Sequence, residues 1–200
     1  MIESWPSKKL AYTIEEVEEA KHELLKYNSW LSNEDLRIIN KNLINYPSFA
    51  RYPASLSKHH PRLGGLIVHT HEVCKYAIAV ANITKDIDFD VLVTGAIWHD
   101  AGKTQTYTEN FLLKDNQKIH SGWGRHQSTK SHGHIALSFE MFLLEVVCGP
   151  SLSKKLERDI SHLILSHHGS LEYGSPAEPQ SKEAWILHEA DMLSARVGNL

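Results

Sequence analysis

The chain has 200 residues and only two cysteines, Cys74 and Cys148, far apart in apolar settings. That argues against a disulfide framework and a thiolate zinc site, and it points to a reducing compartment. No apolar run approaches the ~18 residues that a membrane span needs. The opening "MIESWPSKKLAY" has no apolar stretch of the kind a secretory leader carries, so a cytoplasmic protein is expected. Net charge is only −3, too little of either sign for broad attraction to nucleic acid. Repeats and low-complexity tracts are absent. The length suits one domain, and a hydrophobic share of 42% supplies a sizeable core.

Histidine is what the chain has in excess. There are 14, and they are clustered without forming a purification-tag run.

Most of the sequence has helical periodicity. "YTIEEVEEAKHELLKY" opens on a capping box, Thr13 with Glu16, and shows an apolar face of Ile14, Val17, Leu24 and Leu25. "LSNEDLRIINKNLINY" has Ser32 as its expected cap, acids in the first turn, and a stripe of Leu36, Ile39 and Leu43. Pro47, Pro53 and Pro61 break the next stretch into a loop. "LIVHTHEVCKYAIAVANIT" and "DVLVTGAIWHD" are read as two packed helices, the second through Ala96 and Trp98. The segment 104–131 is polar and Gly-containing, with strand-leaning "TQTY" and "FLL", so a loop or short β-hairpin insert is expected there. "HGHIALSFEMFLLEVVC" ends at Gly149-Pro150, "SKKLERDISHLILSHHG" runs from cap Ser153 to Gly169, and "SKEAWILHEADMLSARVG" starts at cap Ser181. Six or seven helices with few strands predict an all-α helical bundle. Residues 1–48 are read as a helical segment packed on a core domain of residues 49–200.

Three apolar segments carry residues that a core does not welcome. His69 lies in "LIVHTHEV", His99-Asp100 ends "VLVTGAIWHD", and Asp191 lies in "LHEADML". A buried ionised carboxylate needs a partner or a metal. Imidazoles with carboxylates suit a borderline or hard divalent ion. Neighbours on a continuous helix point about 100° apart, so His99 and Asp100 converge only at a helix end, with Ala101-Gly102 letting the backbone turn. Asp100 has two oxygens and can touch two metals. His132 and His134 lie on nearly opposite faces, so one of them points into such a site. His167-His168 ends an apolar helix and can complete a second position. His71 is read as structural. Lys103 follows the His-Asp pair as a candidate phosphate-binding cation. His59-His60 and Arg62 precede the helix carrying His69 and are candidate phosphate contacts, as are Arg125, His126 and Lys130 in the polar insert.

His69, His99-Asp100 and Asp191, in this order, resemble the signature of the HD-domain metal-dependent phosphohydrolases. "PASLSKHHPRLGGLIVHT", "WHDAGK", "GHIALS" and "ILSHHGSLEYGSP…EAWILHEADML" are more closely similar to the HD domain of YhaM-type 3′-to-5′ exoribonucleases. The resemblance implies an all-helical HD-domain fold with a one- or two-metal site (Mn, Fe or Ni favoured, Mg possible). It implies that His69, His99 and Asp191 hold the first ion and that Asp100 bridges. The second ion falls to His134, chosen over His132, and to His167 in preference to His168, although adjacent histidines at a helix end can both reach in. Lys103, His60, Arg62 and Arg125 are then the expected substrate contacts. The implied chemistry is hydrolysis by metal-activated water of a phosphorylated small molecule or a nucleic-acid 3′ end. Some HD-fold proteins are instead mixed-valent di-iron oxygenases with the same ligand set. The helical N-terminal segment, where those exoribonucleases place an RNA-gripping β-barrel, and the longer polar insert lead us to expect no tight binding to long nucleic acid.

Overall fold

The computed structural model describes residues 10–114 and 116–198. Residues 1–9, most of the stretch on which the absence of a leader was read, lie outside them.

The chain runs α1 (Ile14–Ser29), α2 (Glu34–Ile44), α3 (Pro47–Arg51), α4 (Gly65–Ala81), α5 (Phe89–Trp98), α6 (Lys103–Thr106), β1 (Tyr107–Lys114) and β2 (Gln117–Arg125). It continues through α7 (Ser128–Ser131), α8 (Gly133–Cys148), α9 (Lys154–Ser166), a 3-10 turn at Leu171–Tyr173 and α10 (Lys182–Val197). The fold is a helical bundle with one small two-stranded sheet. No described helix is long and apolar enough to cross a membrane.

α4 and α5 form the centre. α1, α3 and α10 pack on α4, and α2, α9 and α10 on α5. Every residue of α5 from Val91 to Trp98 is buried, which explains why that segment shows no amphipathic stripe. α1 and α2 share the same core through Val17, Leu24, Leu36 and Ile39. They are also tied to α5 by polar contacts. Buried Asn40 donates to Thr94 Oγ1 (3.1 Å) and accepts from Trp98 Nε1 (3.0 Å), so both buried polar groups are satisfied.

The Thr13–Glu16 capping box forms, as do the caps at Ser153 and Ser181. Four local expectations are corrected, the first after α2, where Pro47 opens the short helix α3 instead of a loop because proline suits a first helical turn. α2 is capped by Asn33, whose side chain accepts from Leu36 N, because Ser32 is taken by Asp90 of α5 (Oγ to Oδ2, 2.6 Å). Ile14 is exposed, since it sits at the first position of α1, before the helix meets the core. The insert is a hairpin with Tyr107 paired to Arg125 and a bulge between Asn110 and Phe111. Its strand begins only at Tyr107. Thr104–Thr106, expected to lean toward strand, instead close a helical turn continuing from Asp100.

Candidate metal centre

Five helices deliver the site. His69 lies in α4 and Asp191 in α10, both on faces turned into the bundle. His99 is the C-cap of α5 and His167 the C-cap of α9. His134 is in the first turn of α8, and His168 follows His167.

After Trp98 the helix tightens into i→i+3 hydrogen bonds, Ala101 N to Trp98 O (3.2 Å) and Lys103 N to Asp100 O (3.0 Å). This turn lets His99 and Asp100 face one point. Gly102 serves it through size rather than through backbone freedom. Its φ is −63°, ordinary for any residue, but a Cβ there would lie 2.2 Å from His134 O and 2.5 Å from Ser138 N. The start of α8 therefore presses directly onto the turn, and Ser138 Oγ accepts from Gly102 N (2.8 Å).

The hydrogen bonds fix which imidazole nitrogens face inward. His99 Nδ1 donates to Ala96 O (2.7 Å) and His167 Nδ1 to Ile164 O (2.7 Å), carbonyls left open at the ends of their helices. His168 Nδ1 donates to Tyr173 O (3.0 Å). His69 Nδ1 meets Ser194 Oγ at 2.9 Å, and that hydroxyl donates to Glu72 Oε2 (2.8 Å), so the ring must be the donor to serine. His69 and His99 are thus left with Nε2 lone pairs only 3.3 Å apart. His69 Nε2 also lies 3.1 Å from Asp191 Oδ1 and 3.4 Å from Asp100 Oδ2.

Converging acceptors of this kind demand a cation or a proton between them. Burial alone would lower His69, but Asp100 and Asp191 outweigh it and hold the ring above its ordinary value. Burial would likewise raise the two carboxyls. Lys103 and the imidazoles hold Asp100 well below the usual range, and His69 chiefly holds Asp191 there. On the other side, Asp100 Oδ1 lies 3.5 Å from His134 Nε2 and 3.8 Å from His167 Nε2. All three atoms are buried and have no hydrogen-bond partner among the described residues. Burial pushes His134 down to about 3 and His167 well down too, which favours neutral rings with nitrogens that could accept a metal. Two trios emerge, His69–His99–Asp191 and His134–His167–His168, each with ligand atoms within 4.8 Å of one another. Asp100 lies between them with one oxygen toward each.

The residues present fit a divalent metal centre: buried carboxylates, inward lone pairs and orphaned nitrogens are what such a site requires. The matching family model is HD domain, over residues 66–196. The chain belongs to the HD-domain family. Its match spans about two thirds of the sequence and contains all seven of these residues. HD domains bind divalent metals and are mostly metal-dependent hydrolases. No solved structure matches the chain.

The remaining candidates are placed as follows. Lys103 is buried with its ammonium on Asp100 Oδ2, the oxygen that also faces His69 and His99. Arg125 pairs with Tyr107 at the base of the hairpin and is exposed. His132 is the exposed residue before α8, bonded to Ser131 (2.8 Å). His71 stacks on Tyr27. His60 stands behind His69, its Nε2 on Glu72 (3.1 Å) and its Nδ1 2.5 Å from the Tyr12 hydroxyl. Arg62 lies over the Tyr12 ring. His126 and Lys130 are exposed, and His126 Nδ1 is 2.9 Å from Ser128 Oγ. Sequence reasoning missed Glu72 and Ser194, which support His69. A signal existed: each stands three residues after a ligand, on the same helix face as His69 and Asp191 respectively.

Proposed function

We propose that this HD-domain protein is a metal-dependent phosphoric ester hydrolase, a phosphodiesterase or phosphatase. Its proposed substrate is a nucleotide or another phosphorylated small molecule, or a nucleic-acid 3′ end. The observation that carries the reading is Asp100, one oxygen toward each trio and its charge held by buried Lys103. The motifs shared with YhaM-type exoribonucleases support the nucleic-acid end among the possible substrates.

A divalent ion supplies Lewis-acid charge and an ionised water at neutral pH. The chain's own groups do the rest. The side chains of His69, His99 and Asp191 would hold one ion, those of His134, His167 and His168 a second, with Asp100 turning one oxygen toward each trio. Lys103 keeps Asp100 ionised and adds positive charge where a phosphoryl group would gather negative charge. Arg125, exposed where it pairs with Tyr107 in the hairpin, is the second cation offered to the phosphate. No serine or cysteine nucleophile is needed. The imidazole-rich set favours Mn²⁺, Fe²⁺ or Ni²⁺, with Mg²⁺ the poorer fit because it prefers oxygen ligands. With net charge −3, long RNA should bind weakly and with strong salt dependence.

A panel of nucleoside monophosphates, cyclic dinucleotides and short oligonucleotides, each with Mn²⁺, Fe²⁺, Ni²⁺ and Mg²⁺, tests the reading. Release of phosphate or a 3′ nucleotide is expected from at least one of them, and silence across all metals contradicts it.

A further inference from the structure

A fourth orphaned polar atom lies beside the candidate metal centre and belongs to neither trio. His59 Nε2 is buried without a hydrogen-bond partner among the described residues. Its ring sits 4.9 Å from the His69 ring, tilted 43°. The charges that act on it are those of His69, Lys103, Asp100 and Asp191, the surroundings of the first ligand position.

The backbone under this ring is pinned. Ser55 Oγ accepts from Lys58 N (2.9 Å) and His59 N (3.0 Å) and donates to His59 O (2.8 Å). One hydroxyl therefore fixes the turn that presents the imidazole. The next residue, His60, is fixed differently, with contacts from both of its nitrogens to Tyr12 and Glu72. The adjacent histidines thus divide their tasks: His60 braces the group that orients His69, while His59 keeps a nitrogen uncommitted at the site.

A buried polar atom with no partner is costly, by about 1–3 kcal/mol, and such atoms gather where a ligand completes the hydrogen bonding. Three such atoms here, Asp100 Oδ1, His134 Nε2 and His167 Nε2, are accounted for by metal. His59 Nε2 is outside both ligand sets, so a different partner is required. We infer that His59 is a substrate-contacting residue, its Nε2–H donating a hydrogen bond to a phosphoryl oxygen held at the first metal position. No bond to His59 forms or breaks. The inference rests on the phosphoester reading above, and it adds a residue beside His69 that grips the phosphate.

The test uses the Mn²⁺-loaded protein and inorganic phosphate, measured by calorimetry, with metal content determined on the same samples. His59→Phe keeps the ring volume and removes the donor. His59→Gln returns an amide N–H at similar reach, and His59→Asn falls short of it. We expect all three variants to keep wild-type helicity and metal content. Phosphate affinity should fall about 10- to 100-fold in His59→Phe and His59→Asn, the loss of one hydrogen bond to a charged group. His59→Gln should recover most of it. Wild-type phosphate affinity in both loss variants would overturn the assignment and leave the phosphohydrolase reading standing. So would loss of metal, which would make His59 a ligand. A wild-type protein that binds metal but no phosphate would remove both.

Discussion

The first candidate position takes two of its three residues from within long helices and the third, His99, from the end of α5, whereas the second is built entirely where helices begin and end. His69 and Asp191 lie within α4 and α10, and His69 is braced by Ser194 and Glu72. His134 lies in the first turn of α8, and His167 and His168 follow the end of α9, their rings held by the carbonyls of Ile164 and Tyr173. The first position has its own carboxylate, while the second borrows charge only from Asp100. Side chains locked by packing and by a further layer of hydrogen bonds hold a tighter geometry. The first position should therefore bind metal more firmly, and the second should respond more to pH.

Asp100 is the residue on which both positions depend, so replacing it should have the largest effect. Removing its charge leaves Lys103 as a buried cation, which costs stability; the isosteric Asp100→Asn is the gentler probe. Metal content should fall at both positions. Phosphodiester cleavage should drop by at least about 10³-fold, equivalent to ~4 kcal/mol. A variant with wild-type turnover would remove Asp100 from the centre.

The asymmetry itself is tested by Asp191→Ala against His134→Ala. Each should lower the metal stoichiometry by about one, but Asp191→Ala should remove the tighter ion and His134→Ala the weaker. Titration with a competing chelator reads this directly. Equal affinities in the two variants would erase the distinction.

Ser194→Ala sharpens it further. The change breaks the link from His69 to Glu72 without touching a ligand, and metal affinity should fall about 10- to 100-fold at the first position only. An equal loss at both positions would show that the brace acts through general stability.

The smallest effect concerns pH in the metal-free protein. Burial holds His134 at about 3 and His167 well below its ordinary value. Between about 3 and about 6.5, an unfolded histidine takes up a proton that its folded counterpart refuses. Stability from these two groups therefore rises with pH through that window and is lost on acidification. His69 is held above its ordinary value, so its contribution is present below about 6.5 and fades as pH rises through the folded value. The melting temperature of chelator-treated protein should fall between pH 7 and pH 5, and His134→Gln should flatten that fall. An unchanged slope would remove His134 from the cause.

The sequence showed this comparison unevenly. His69 and Asp191 were readable because ionisable groups inside apolar helices have few bland explanations. The caps at Thr13, Ser153 and Ser181 were readable because capping is local. Ser32 misled because its partner, Asp90, is 58 residues away. Gly102 was read as a hinge, but its role is a close approach by α8, which local sequence cannot reveal. The inward-facing nitrogens of His99 and His167 depend on carbonyls three residues back, a consequence of helix termination that only the folded backbone displays. His60, rather than His59, was the expected substrate contact, but Tyr12 and Glu72 engage both of its ring nitrogens, and neither partner is visible in the local sequence.

The central claim is hydrolysis that needs a metal but no redox change, and oxygen activation is the alternative open to the same ligands. Oxygen chemistry requires iron that changes oxidation state, whereas hydrolysis accepts a redox-reluctant ion. The most direct measurement is cleavage of bis-p-nitrophenyl phosphate by protein loaded with Mn²⁺ and kept anaerobic, with Asp191→Ala alongside. The account predicts cleavage by the wild type and none by the variant. Turnover confined to the iron form and dependent on dioxygen would contradict it.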